Sequence, residues 1–504
     1  MAVDLSDVGR RIIDFDPAHP EARFFSTATQ LAAATSAGLR ADPVQFPPEL
    51  APTLNPPAVP PDPSAPLPRA DVVVVTWTAA EADTLAILLT PGVAVGQWFE
   101  YKSNLDHYLP LVNGPKAPFN DPSHARYYHS LGIYYPISLV GKNVLCFKSG
   151  LHLDYDTDSP PPADLPLIDL WKQIIKETGA ELIITTGTGG AVGANVLLGD
   201  VVIAAQTVFD CTKQFAAESF HNSSYSTSPL PAQWAPPAAT MLKDNAERIA
   251  QSNQPSHSDE LPAFYYSGSV IPVPKIVTTD SFLFDNTTDT NGLQALGNAC
   301  DMGDASLGLV ISDLGANAPR WAAIRNASDP QIDGTLSPSQ QGSEAYTIYT
   351  TYGALTTAAS VLAAWSLICA YYAQPQAIAA AKQSVEIKPE VSLSLVKSQQ
   401  EVARADPSHL LMQIAAGSNI SALDVPNSEI SGAVANALAD HLRSINIDMG
   451  ESEISWRKIR FVDETRRQRE LTLAQVSRDD TEAFRGSYLL LGSKIIAKTE
   501  FASD

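Results

Sequence analysis
Two carboxylates stand out by where the sequence places them. Glu81 closes "DVVVVTWTAAE", one turn into the segment that follows an apolar, β-branched run. Asp329 ends "RWAAIRNASD", a second apolar run that stops in a polar turn before Pro330. Read alone, an acid in a helix's first turn is favoured by the helix dipole, and an Asp before Pro is an ordinary turn residue. Either group can move protons if its surroundings hold its pKa near the working pH. A third feature is "ELIITTGTGGAVGANVLLGDVVIA", residues 181–204. It reads as a buried strand at 182–185, a small-residue turn at 187–193, and a further strand from Val201. Glycine permits positive φ and close approach of a ligand or another backbone, and open α/β sheets bind ligands beyond their strand ends. "FKSG" ends another strand with Lys148 and Ser149.

These residues need a framework, and the pattern supplies one. "DVVVVTWTAAEADTLAILLTPG" is a strand, a short loop and an amphipathic helix stopped at Pro91-Gly92. "NVLCFKSG", "DVVIAAQTVFD", "PKIVTTDSFLF" and "RWAAIRNASD" read as strands, and "PLIDLWKQIIKETGA" and "DMGDASLGLVISDLG" as helices. Strands alternating with helices predict an α/β fold, a three-layer αβα sandwich around a mixed, mostly parallel sheet. Residues 98–135 and 217–262 read as polar or aromatic insertions, the natural material for covering a pocket. Residues 1–70 form an arm, helical to about residue 40, and a strap with eleven prolines between Pro43 and Pro68. The catalytic-type domain is expected over 71–373. Residues 374–504 are expected to be a mainly helical accessory region, with "ISGAVANALADHLRSI" the clearest helix.

Composition narrows the function. The formal net charge of the 504 residues is −22, which argues against general binding to nucleic acid or anionic membrane. Residues 374–504 carry only about −3 of it, from 15 Lys and Arg against 18 Asp and Glu. The basic run "WRKIRFVDETRRQR" lies there and reads as a solvated or intersubunit face. Cysteines 146, 211, 300 and 369 have no paired or metal-like spacing, as expected of free thiols in a reducing compartment. The first twenty residues contain no apolar signal core. A cytoplasmic protein is expected. The apolar stretch 353–373 nears membrane-spanning length, but it is Ala- and Thr-rich without cationic flanks and reads as a buried helix.

The order of these blocks over 71–370 resembles the nucleoside phosphorylase/nucleosidase superfamily, most closely 5'-methylthioadenosine/S-adenosylhomocysteine nucleosidase. The resemblance implies that Glu81 activates a water and that Asp329, oriented by Ser328, protonates a purine as the N-glycosidic bond breaks, a division of labour like that of glycoside hydrolysis. It places Phe282 and Leu283 against the base, Met302 against the sugar, and Thr188, Gly189 and Gly190 under both. It implies no metal or organic cofactor, a small nucleoside substrate, and a homodimer or larger oligomer. One block departs from the family. "DMGDA" has Gly303 where relatives carry a ribose-binding Glu, a loss expected to cost about 2–4 kcal/mol of transition-state binding. Asp304 replaces it after a one-residue shift, or the substrate lacks the diol, or the site has become a non-catalytic binding site. Hydrolysis is expected over phosphorolysis because "TWTAAE" offers no Arg, Lys or Gly for a phosphate dianion. Lys148 and Arg126 remain the cations that a phosphorylase would need.

Overall fold
The computed structural model describes residues 39–113, 130–151, 153, 165–213, 215–252, 254–256, 261–373, 421–425, 435, 438–439, 452–462, 468–478, 484–491 and 494–500. The chain divides into two compact units, Met1–Ile378 and Ala379–Asp504. In the first unit the strands are β1 (Thr53–Leu54), β2 (Val72–Thr76), β3 (Phe99–Tyr101), β4 (Gly132–Leu139), β5 (Lys142–Ser149), β6 (Leu182–Ala191), β7 (Val201–Ile203), β8 (Gln206–Asp210), β9 (Ser224–Ser226), β10 (Phe264–Tyr265), β11 (Lys275–Thr279), β12 (Ala299–Asp301) and β13 (Arg320–Asp329). The helices are α1 (Ala79–Leu89), α2 (Leu105–Asn113), α3 (Pro166–Thr178), α4 (Ala239–Ala250), α5 (Asp304–Leu314) and α6 (Pro338–Tyr372).

All thirteen strands join one mixed sheet. Its centre is parallel: β5, β2, β6 and β13 lie side by side in one direction. Every residue of β2 and β6 is buried, as strands covered on both faces must be. Alternation sorts the faces. Val73, Val75, Ile183, Trp321 and Ala323 share a core with Leu167 and Trp171 of α3 and Leu307 and Val310 of α5. The other face of β13 meets α6, which also packs on β6, α1 and α4. The result is the expected α/β sandwich with a layer of helices on each side.

Three local readings of the sequence need correction. The glycine-rich segment is not a turn, since β6 continues unbroken through Ala191. Its glycines sit in a strand that other groups approach closely, a use of glycine that composition cannot tell from a turn. The supposed insertion at 98–135 contributes β3, α2 and the start of β4, which pairs antiparallel with β5. Helix α1 is buried on nearly every side, Asp83 included, because Arg40 of the strap reaches Asp83 with bonds of 2.6 and 2.7 Å. The strap runs through one short 3-10 turn (Pro48–Leu50) and β1, and Leu50 O accepts the indole N–H of Trp365 on α6 (2.8 Å). Residues 1–38 of the arm lie outside the described residues.

Among the described residues of the second unit, strands predominate where helices were expected. Its described strands β14 (Ser421–Val425), β15 (Ser452–Val462), β16 (Gln468–Arg478), β17 (Phe484–Leu491) and β18 (Lys494–Glu500) form an antiparallel meander in chain order. The sequence carries a period of two there, as in Ile454/Trp456 and Leu471/Leu473, and the ladder rewards it with pairing that a helical window misses. The basic run falls largely on β15 and the start of β16. Within "ISGAVANALADHLRSI", the described residues Ala435, Leu438 and Ala439 are helical.

Helix α6 is long and apolar enough to cross a membrane, yet 94% of its most apolar window is buried inside the protein. Polar groups fix its register on the sheet. Asn326 of β13 donates to Thr356 Oγ1 (2.8 Å) and accepts from Ser360 Oγ (2.6 Å), all three side chains fully buried. Buried amides are costly to strand, so these bonds align the helix behind the strand that carries Arg325 and Asp329. Asn326→Ala is expected to lower stability by about 2 kcal/mol, read from urea unfolding of the variant beside the parent protein.

Candidate active site
The site opens where β6 loses one neighbour before gaining the next. Strand β2 accompanies β6 only as far as the Val75–Thr185 pair, and β12 joins it at Gly190. Glu81 fills the gap. Its Oε1 accepts the backbone N–H of Thr188 (2.6 Å) and the Thr188 hydroxyl (2.5 Å). Its Oε2 accepts the Thr76 hydroxyl (2.5 Å) and the backbone N–H groups of Trp77 (2.8 Å) and Thr78 (2.9 Å). The carboxylate thus does for Thr188 what a continued β2 would have done. The local sequence explains its arrival: Thr78 caps α1, accepting from Glu81 N, and Glu81 answers as the acid of a capping box. Gly187 leaves room for it. A Cβ there would fall 2.7 Å from Glu81 Oε2 and nearer still to the carboxyl carbon, and the backbone has φ +147°.

Beside Glu81 lies a buried ion cluster. Arg325 of β13 holds Asp304 through two bonds, Nε to Oδ2 (2.8 Å) and Nη2 to Oδ1 (2.5 Å). It reaches Asp301 at 3.2 Å and Glu81 at 3.8 Å, and its Nη1 donates to Thr188 O (3.3 Å). Burial pushes the Glu81 carboxyl up, but Arg325 and the hydrogen bonds from Thr188, Thr76 and Thr78 outweigh it, and the group sits below its ordinary range. Asp301 behaves oppositely. Burial and then the neighbouring Asp304 carboxylate raise it to about 7, against the opposing pull of Arg325.

Asp329 stands apart from this cluster. The register of β13 on β6 slips at Ser328, so that Ala327 pairs with Gly189 and Asp329 with Gly190. Such a bulge re-aims the side chain that follows it. Asp329 is 3% exposed, and its Oδ1 accepts the Ser328 hydroxyl (2.9 Å). Its Oδ2 lies against Gly190 and has no donor among the described residues. Burial pushes the carboxyl up to about 7, with Ser328 the modest opposing influence.

One cavity collects these groups. Glu81, Asp329, Ser328, Thr188, Gly189, Gly190, Phe282, Leu283, Met302 and Gly303 all line it, so the structure brings together every residue that the resemblance assigned to water, base or sugar except Asp304. Asp304 is fully buried, does not line the cavity, and is locked on Arg325; the register shift that would make it a sugar ligand does not occur. Sequence reasoning passed over Trp77, Thr78, Thr279, Cys300, Asp301 and Tyr349, which also line it. Trp77 was in view within "TWTAAE", an aromatic residue just past a strand end. Tyr349 comes from the distant α6 and gave no local signal.

Residues 102–359, about half of the chain, match the family model described as "Phosphorylase superfamily". The chain belongs to the phosphorylase superfamily. Solved structures of similar fold include the 5'-methylthioadenosine/S-adenosylhomocysteine nucleosidase of Helicobacter pylori (12% identity, 60% of this chain and 98% of that one, TM-score 0.36). That of Neisseria meningitidis gives 15% identity, 59% and 97%, and TM-score 0.34. The futalosine hydrolase of Helicobacter pylori gives 12%, 59% and 96%, and 0.35. No curated protein matches the chain.

Within this superfamily member, the cations that phosphate would need are scarce at the site. Among the described residues lining the cavity Arg325 is the one basic side chain, and three carboxylates surround it. Lys148 is buried at the end of β5 and does not line the cavity, and Arg126 lies outside the described residues. The tight seat of Glu81 is open to test. Gly187→Ala is expected to cost about 3 kcal/mol, because the methyl group must displace a buried carboxylate and adopt a strained φ. Thermal unfolding of the purified variant measures it.

Proposed function
We propose that the protein cleaves the N-glycosidic bond of a purine nucleoside with water, releasing free base and sugar. Asp329 carries the reading: a buried carboxyl with one oxygen free of donors among the described residues and a pKa raised to about 7 is a proton donor poised at physiological pH. Its proton passes to the departing base as the bond from the sugar breaks. The sugar becomes oxocarbenium-like, and water adds to it. Glu81, held ionised beside Arg325, is a fixed negative charge for that cation. Two of its five hydrogen bonds come from the Thr76 and Thr188 hydroxyls, which can rotate and release an oxygen to hold the water. The one proton that the added water releases leaves through Glu81 to solvent, and Asp329 regains its own from solvent to close the cycle.

Phosphate-dependent cleavage is the second reading, and the negative balance of the cavity disfavours it. A nucleoside-binding protein without catalysis is the third. Its weakness is that it gives the unpartnered, high-pKa Asp329 no work to do. Cytoplasmic location and homo-oligomeric assembly belong to the same proposal.

Asp329→Asn is expected to reduce base release about 10³-fold, followed chromatographically with adenosine and without phosphate. Unchanged turnover would reject the assignment, and release only with added phosphate would move it to a phosphorylase. The pH dependence has a definite sign. Asp329 is protonated below about 7, so kcat/KM should be level on the acidic side and fall above it, while Glu81 stays ionised throughout. Stability follows the same group. A raised carboxyl pKa favours the folded state at acidic pH and loses that contribution as pH rises through about 7. Asp329→Asn should therefore melt no lower than the parent at pH 8.

A further inference from the structure
We infer that Trp77 sets the sugar specificity of this cavity by closing it to a diol-binding acid, so that the site takes 2'-deoxyribosides at least as well as ribosides. The inference rests on the nucleoside-cleaving reading and deepens it. A Cβ on Gly303 would lie 2.8, 3.1 and 3.2 Å from three atoms of the Trp77 ring, so no side chain fits at 303 while the indole holds its place. The indole is well held. Its N–H donates to Leu151 O (2.8 Å), its ring meets Trp171 edge-on at 6.0 Å, and the Arg325 guanidinium lies 4.7 Å from the ring centre. It is 5% exposed.

The remaining acids of the cavity cannot serve the sugar either. Both oxygens of Glu81 are filled by five donors, and the one place that a rotating Thr76 or Thr188 hydroxyl can free is taken by the water. Asp301 accepts from Thr278 Oγ1 (2.6 Å) and from the backbone N–H groups of Gly303 (3.0 Å) and Asp304 (2.8 Å), and lies on Arg325. The Thr279 hydroxyl donates to Ser281 O (2.7 Å). Asp329 Oδ2 is the one carboxylate oxygen of the cavity without a donor among the described residues, and it has the base to serve. Two vicinal hydroxyls entering this cavity would lose water and find no bidentate carboxylate among the described residues, a loss that a 2'-deoxy sugar avoids in part. Trp77, Met302 and Phe282 offer such a sugar apolar surface.

The test compares adenosine with 2'-deoxyadenosine, by base release and by calorimetric binding, on the full chain and two variants. The parent is expected to give a deoxyriboside-to-riboside ratio of kcat/KM of one or more. A tenfold preference for the riboside overturns the inference. Trp77→Ala combined with Gly303→Glu should restore an acceptor and shift the ratio at least tenfold toward the riboside. Trp77→Phe keeps a ring, and should keep the parent's ratio even if kcat falls. A ratio unmoved in the double variant while it still binds adenosine counts against Trp77. Should the parent release base from neither nucleoside, the cleavage reading fails, and binding decides the inference alone. Equal or tighter binding of 2'-deoxyadenosine upholds it; a tenfold tighter adenosine complex, or binding of neither, overturns it.

Discussion
Arg325 is the interaction on which the rest of the site depends. It sits on the central β13, almost fully buried, and ties α5 through Asp304, the end of β12 through Asp301, and the β6 gap through Thr188 and Glu81. A guanidinium removed from water needs charge and hydrogen bonds around it, and its planar fork can meet several acids at once. The carboxylates hold it charged against the opposing effect of burial. Three acids around one base leave surplus negative charge, and Asp301 absorbs part of it by staying protonated to about pH 7. The cluster therefore keeps a net negative charge, smaller than three ionised acids would leave.

That arrangement separates the two acids that matter. Glu81 and Asp329 line one cavity, but their surroundings push them apart. Glu81 is wrapped in donors and stays an anion. Asp329 has one hydroxyl and apolar walls, and keeps its proton. Burial acts on both in the same direction, and the difference lies in what else they touch. A pair of carboxyls divided this way can give a proton and steady a cation at the same pH. The glycines of β6 make the division possible. Gly187 admits the Glu81 carboxylate to the strand, and Gly190 lets Asp329 and Cys300 come close from the other end.

Much of this was legible in the residues. The buried β-branched runs at 72–76 and 182–185, the stop at Pro91-Gly92, and the apolar run into Asp329 carry local propensities strong enough to name their elements. The short loop after the 72–76 run placed Glu81 in the first turn of a helix. Where the sequence misled, the reason is physical. Glycines in 187–190 have the same composition in a turn as in a crowded strand. The alternating residues of 452–500 compete with helical spacing nearby, and only the ladder of neighbouring strands decides between them. Asp83 reads as a solvated acid until Arg40, forty-three residues earlier, covers it.

The sequence by itself determined the α/β class, the superfamily and more than half of the residues that line the cavity, because strand runs and polar strand ends are local properties. Tertiary structure alone decided what those residues can do. Whether Glu81 is a solvated acid or a buried anion depends on Thr188, more than a hundred positions away. Whether Asp304 meets a sugar or a guanidinium depends on Arg325, and the meaning of Gly303 depends on the ring of Trp77. Protonation and specificity are set by distances of a few ångströms between groups far apart in the chain, and no window of sequence contains those distances.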